Sequence, residues 1–94
     1  MNSKKITFYA THVCPYCLLA DQLLKSQGIS ADQIDKIYID ENTIARQEMM
    51  KITQRRTVPQ IFIGPTHVGG YDDLVNLHKK HLLQPLLNSL FSNN

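Results

Sequence analysis

Apolar and polar positions recur along this chain with periods that divide it into short elements. Lys5 to Ala10 reads Lys-Ile-Thr-Phe-Tyr-Ala, rich in β-branched and aromatic residues, and predicts a strand that ends just before Cys14. From Pro15 the period changes to that of a helix. Ala20, Leu23, Leu24 and Gln27 share helical spacing, Pro15 suits a first turn, and Gly28 suits the residue after a helix end. Ile34 to Ile39 alternates Ile34, Lys36 and Tyr38 against Asp35, Ile37 and Ile39, a second short strand with mixed patterning. Asn42 can cap a helix whose buried stripe would be Ala45, Met49 and Ile52, ending near Gln54. Gln60 to Ile63 predicts a third strand, Gly64-Pro65 a turn and Thr66 to Val68 a fourth, so the last two form a hairpin. Gly69-Gly70 leads into a helix from about Asp72 to Lys80, with Leu74, Leu77 and His81 on one side. A last helix follows at Pro85, with Leu86, Leu87, Leu90 and Phe91 apolar.

The order βαβαββαα, with a crossover helix between the first two strands, implies two parallel strands joined to an antiparallel hairpin. The expected fold class is therefore α/β, a four-stranded mixed sheet with helices on both faces.

At 94 residues the chain has room for one core, so residues 1–94 are expected to form a single domain. Hydrophobic residues at 43% and charged residues at 19% exclude a disordered tail and a membrane span. Ten Lys and Arg against eight Asp and Glu leave +2, too little to neutralise many phosphates, so no nucleic-acid partner is expected and any bound anion is small. The stretch Met1 to Val13 is too short in apolar residues for a secretory signal or a spanning helix, which makes the cytoplasm the expected compartment.

Two cysteines, Cys14 and Cys17, cannot make the framework of a disulfide-rich scaffold, and their spacing points to chemistry instead. Cys14-Pro15-Tyr16-Cys17 sits at a strand-to-helix junction, where residues i and i+3 lie about 5–6 Å apart, close enough for a disulfide with little backbone movement. The helix N-terminus stabilises a thiolate at Cys14 more than at Cys17, one turn further in. Cys14 is thus the expected nucleophile and Cys17 the resolving thiol of a redox-active pair. The alternatives are two small buried hydrophobes, or half of a zinc site for which no second Cys or His pair at finger spacing follows.

Three segments carry a resemblance. Cys14-Pro15-Tyr16-Cys17, Thr57-Val58-Pro59-Gln60-Ile61-Phe62-Ile63 and Gly69-Gly70-Tyr71-Asp72-Asp73-Leu74 resemble, in sequence and separation, the signatures of dithiol glutaredoxins, and above all the short bacterial ones of the glutaredoxin 3 kind. Thioredoxins are a poorer match, since this chain has no Trp. The resemblance implies a thioredoxin-like fold and an enzyme of cell redox homeostasis. That enzyme would be a glutathione-dependent oxidoreductase reducing protein-glutathione mixed disulfides and protein disulfides.

It also implies site residues. Pro59 would be a cis proline facing the cysteines, with Val58, after Thr57, pairing its backbone with the cysteinyl part of glutathione. Gly70, Tyr71 and Asp72 would receive the γ-glutamyl carboxylate on backbone N–H groups, and Asp73 the ammonium, in keeping with anion binding at a helix start. Tyr16 would flank the glutathione sulfur. Arg46 or Arg56 would meet the glycyl carboxylate, with Arg55 the weaker candidate. One departure matters: three residues before the nucleophile many relatives carry Lys or Arg, and this chain has Thr11, with His12 near but not equivalent. A weaker thiolate or weaker glutathione binding is the expected result. His67, His78 and His81 receive no catalytic task.

Glutathione is expected as co-substrate, with no permanently bound cofactor or metal, and with glutathionylated or disulfide-bonded proteins as partners of a monomer. Two alternatives belong to other classes. One is carriage of a [2Fe–2S] cluster bridged with glutathione, for which Pro15 is atypical of the motif. The other is electron donation to one dedicated enzyme such as ribonucleotide reductase.

Overall fold

The computed structural model describes residues 5–91. Four strands, β1 (Ile6–Ala10), β2 (Ile34–Tyr38), β3 (Gln60–Ile63) and β4 (Thr66–Gly69), form one sheet in the order β2-β1-β3-β4. Helices α1 (Pro15–Ser26), α2 (Thr43–Thr53), α3 (Tyr71–Lys79) and α4 (Leu83–Phe91) complete it, with a 3-10 turn at Ala31–Gln33 before β2. β1 and β2 run parallel, Ile6 opposite Ile34 and Ala10 opposite Tyr38, while β3 is antiparallel to both β1 and β4. This is the mixed α/β sheet that the hydrophobic pattern predicts.

Alternation along β1 divides the molecule into two layers. Ile6, Phe8 and Ala10, with Ile61 and Ile63 of β3, pack against Ala20 and Leu24 of α1, Leu74 of α3, and Leu83 and Leu87 of α4. Each Ile, Leu or Phe side chain taken fully out of water there contributes roughly 1.5–3 kcal/mol. The opposite face carries a smaller cluster, Tyr9, Ile39, Ala45 and Met49, flanked by Ile37, Met50 and Phe62 under α2.

Local chemistry sets the helix ends. Pro15 occupies the first turn of α1, and Gly28 follows the helix with φ 92°, in the left-handed region that glycine enters without penalty. Asn42 caps α2 through its side-chain oxygen, which accepts the Ala45 N–H at 3.0 Å. Asp21, on the buried side of α1, reaches Lys25 one turn on and Lys36 of β2, both at 2.9 Å.

Three details differ from the sequence pattern. The buried stripe of α2 is Ala45, Met49 and Thr53, and Ile52 is half exposed. An i, i+4, i+8 row turns the end of the helix so that Thr53 faces inward. Its hydroxyl donates to Met49 O at 2.7 Å and accepts the Arg55 N–H at 3.0 Å. His81 lies outside α3, in an exposed left-handed turn with φ 61° between α3 and α4, and α4 starts two residues before Pro85.

Candidate active site

The dithiol sits where β1 gives way to α1. Cys14 is the N-cap of that helix, in extended backbone conformation, and its sulfur accepts the Cys17 N–H at 3.1 Å. A cap whose acceptor is sulfur puts one of the helix's free N–H donors and its positive dipole end directly on the reactive atom. The two cysteines are disulfide-bonded, with Cα atoms 5.2 Å apart. Cys17 is 7% exposed whereas Cys14 is only partly buried, so an incoming sulfur reaches Cys14 first.

Val58 and Pro59 stand opposite, joined by a cis peptide bond, with the Val58 carbonyl oxygen 3.9 Å from Cys14 Sγ. The register that sets Tyr9 against Gln60 carries these residues to the end of β1, beside the cysteines. From here a groove of about 330 Å³ runs between the loop before β3 and the start of α3. Tyr16, Arg55, Thr57, Val58 and Pro59 line one part of it, and Gly70, Tyr71, Asp72 and Asp73 the other. The rings of Tyr16 and Tyr71 lie 5.9 Å apart and tilted by 30°.

At the α3 end Asp73 is held firmly. One carboxylate oxygen accepts the Gly70 N–H at 2.9 Å and the Arg55 Nη1–H at 2.9 Å. These bonds, the Gly70 amide first, hold the Asp73 carboxyl below its ordinary range. Gly69 carries φ 114°, and a Cβ there would lie 2.8 Å from the Asp73 carboxyl carbon and 3.0 Å from Arg55 Nη1, so only glycine leaves the clamp room.

The arginines distribute unevenly. Arg55 reaches the groove; Arg56 instead lines an adjoining hollow of about 290 Å³ with Met50, Gln54 and Arg55. Arg46 is exposed on α2 and is not among the groove-lining residues. A smaller hollow of about 150 Å³ adjoins both sulfurs, with Thr11, His12 and Tyr38 in its wall. His12 does not offer its charge to the sulfurs: Nδ1 lies 3.0 Å from Asp40 and Nε2 3.5 Å from Glu41, and the ring stacks on Tyr38 at 4.0 Å. The hydrogen bond to Asp40 raises the His12 pKa, so the carboxylates take up the positive charge.

One group beneath the groove was not singled out by sequence. Gln60, 0% exposed, bonds both Thr57 and His67. No sequence period marks a carboxamide in a strand as buried; only its place after Val58-Pro59 hinted at contact with the site. Among the described residues no three His, Cys, Asp or Glu side chains are grouped to hold a metal ion, and no helix is long and apolar enough to cross a membrane.

Comparison with known proteins agrees with this arrangement. Residues 6–68 match the family model described as Glutaredoxin. The chain is 45% identical over 83 residues to a glutaredoxin of Neisseria meningitidis, covering 88% of this chain and 95% of that one. It is 45% identical over 82 residues to glutaredoxin 3 of Escherichia coli K12, covering 87% and 95%. Among solved structures, a buckwheat glutaredoxin-glutathione complex superposes with a TM-score of 0.85 at 26% identity, covering 99% of this chain and 84% of that one.

Proposed function

The chain belongs to the glutaredoxin family, and we propose that it is a glutathione-dependent oxidoreductase that reduces protein-glutathione mixed disulfides and protein disulfides through Cys14. Its thioredoxin-like fold and its cysteine pair make it a thiol-disulfide oxidoreductase. One observation carries the glutathione reading: the half-buried Cys14, capping α1, lies 3.9 Å from the carbonyl oxygen of Val58, in the wall of a groove that pairs the backbone before β3 with a helix start carrying an acidic side chain at Asp73. γ-Glutamyl-cysteinyl-glycine is an extended peptide with an ammonium and a carboxylate at its γ-glutamyl end, and the groove matches both features. The buckwheat relative with the same fold is a glutathione complex.

In the reduced protein, the Cys14 thiolate attacks the glutathione sulfur of a mixed disulfide. A Cys14–glutathione disulfide forms, and the protein thiolate leaves and takes up a proton. A second glutathione thiolate attacks the glutathione sulfur bound to Cys14, releasing Cys14 and glutathione disulfide. Cys17 is not needed for this cycle. With a protein disulfide, Cys14 forms the mixed disulfide and Cys17 attacks the Cys14 sulfur, expelling the reduced substrate and closing the Cys14–Cys17 bridge. Two glutathiones then return that bridge to two thiols, leaving as one glutathione disulfide, and a separate reductase supplies the electrons. Arg56, and more remotely Arg46, are proposed for the glycyl carboxylate, with Arg55 nearer the groove. The compartment proposed is the cytoplasm.

The test is reduction of a glutathionylated peptide by glutathione with wild type, Cys14→Ser and Cys17→Ser. Cys14→Ser is expected to be inactive and Cys17→Ser to retain turnover. An inactive wild type overturns the glutathione reading, and activity in Cys14→Ser overturns the assignment of the nucleophile.

A further inference from the structure

Beneath the groove runs a short chain of side-chain hydrogen bonds that the sulfur chemistry does not itself require. The Gln60 side-chain nitrogen lies 3.1 Å from Thr57 O and 3.4 Å from Thr57 Oγ1, and its oxygen lies 2.8 Å from His67 Nε2. A carbonyl can only accept, so the amide nitrogen must face Thr57 O. Oε1 is thereby left for His67, and the hydrogen must sit on His67 Nε2. His67 is itself fixed: it stacks on Phe62 at 4.7 Å, opposite which the β3–β4 register places it. Desolvation first, then the Arg55 charge, lowers its pKa against the opposing pull of Asp73, and the neutral Nε2–H form already meets the need of Gln60.

We infer that His67 is a positioning residue for the binding groove, acting through the buried Gln60 carboxamide on the backbone at Thr57–Val58. The inference rests on the glutathione reading above and deepens it. Thr57 C=O and Val58 N–H belong to one planar peptide unit and point opposite ways. Holding the carbonyl on the Gln60 amide therefore turns the Val58 N–H away from Gln60 and fixes the plane against which an extended ligand pairs. Without the His67 donor, the Gln60 oxygen is left buried and unpaired, and the amide can satisfy itself only by rotating away from Thr57. His67 lines neither the hollow beside the sulfurs nor the groove, and the charged groups it faces are Arg55 and Asp73 rather than the cysteines, so its influence falls on ligand pairing rather than on thiolate formation.

Three variants test this. His67→Phe keeps the stack on Phe62 and removes the donor; His67→Gln restores an amide N–H near the place of Nε2; Gln60→Glu keeps the bond from His67 but cannot donate to Thr57 O. With a glutathionylated peptide, His67→Phe and Gln60→Glu are expected to raise KM roughly three- to tenfold, the loss of one net hydrogen bond, with kcat changed less than about twofold. His67→Gln is expected to recover most of that loss. Alkylation of Cys14 by iodoacetamide across pH should stay as in wild type, and the Thr57 carbonyl carbon shift should move in His67→Phe without any ligand present. An unchanged KM in His67→Phe, equal losses in His67→Phe and His67→Gln, or an unmoved Thr57 shift overturns the positioning role. If His67→Phe does not fold, Gln60→Glu decides through its KM and its Thr57 shift, wild-type values of either overturning the positioning role. Absence of glutathione-dependent turnover in the wild type instead removes the functional reading, while the carbon shift still reports whether the relay holds Thr57.

Discussion

Asp73→Asn separates the structural duty of one carboxylate from the ligand-binding duty proposed for it. In the protein as it stands, that carboxylate accepts the Gly70 N–H and the Arg55 guanidinium, both at 2.9 Å. The Asp73 and Arg55 side chains are 41% and 46% exposed, so solvent screens the ion pair and it is discounted to about 0.2–1 kcal/mol. Losing the charge at the helix start removes a further fraction, since an asparagine oxygen can still take the Gly70 N–H. The sum is about 1 kcal/mol, which for a domain of this size lowers Tm by roughly 4–8 °C. The Asp73 pKa is depressed, so its carboxylate stabilises the fold above the ordinary carboxylate range, and that contribution is lost as pH falls through the folded-state pKa. The Tm gap between wild type and Asp73→Asn is therefore widest at neutral pH and closes in acid. Binding loses more. An ammonium on this carboxylate is worth about 1.5–3 kcal/mol, part of it offset by displacing Arg55, which leaves roughly a tenfold fall in kcat/KM for a glutathione mixed disulfide. The control is the stopped-flow reaction of the reduced protein with an aromatic disulfide that has no γ-glutamyl group. Its rate should match wild type. Equal losses with both disulfides would mean that Asp73 only holds the fold together, and no loss with either would remove it from the groove's chemistry.

Thr11→Lys places a cation in the wall of the hollow beside both sulfurs, and is expected to lower the pKa of the Cys14 thiol by about half a unit to one unit, measured from the pH dependence of alkylation. No shift, with the new ammonium taken up by Asp40 and Glu41 as His12 is, would refute it. Asp21 lies 9% exposed between Lys25 and Lys36; desolvation raises its pKa but the two ammoniums outweigh it, so the net direction is down. Asp21→Asn is therefore expected to cost about 1–2 kcal/mol at pH 7 in urea melts, the gap shrinking as pH falls through the depressed pKa; a gap independent of pH would count against the pairing.

How much of this was legible follows from how local each feature is. The strand Lys5 to Ala10, the cap at Asn42, Pro15 in a first turn and Gly28 beyond the helix each rest on residues a few positions apart, and each stands where the pattern put it. The two walls of the site are 44 residues apart in sequence, but strand pairing settles their meeting: once β3 lies antiparallel to β1, Tyr9 faces Gln60 and Val58 must arrive beside Cys14. Features that depend on the direction of one side chain after an irregular turn were not legible. Arg55 and Arg56 are chemically alike and adjacent, and Gln54 in the left-handed region, with Thr53 tying down the Arg55 N–H, decides that Arg55 and not Arg56 reaches Asp73. A β-bulge between Ile61 and Phe62 likewise shifts the hairpin register and puts His67 over Phe62, within reach of Gln60. Sequence period carries burial, whereas the polar contacts that shape this groove come from the breaks in the period: a left-handed cap, a bulge and a glycine at φ 114°. Substitutions at those breaks should therefore disturb ligand pairing before they disturb the core.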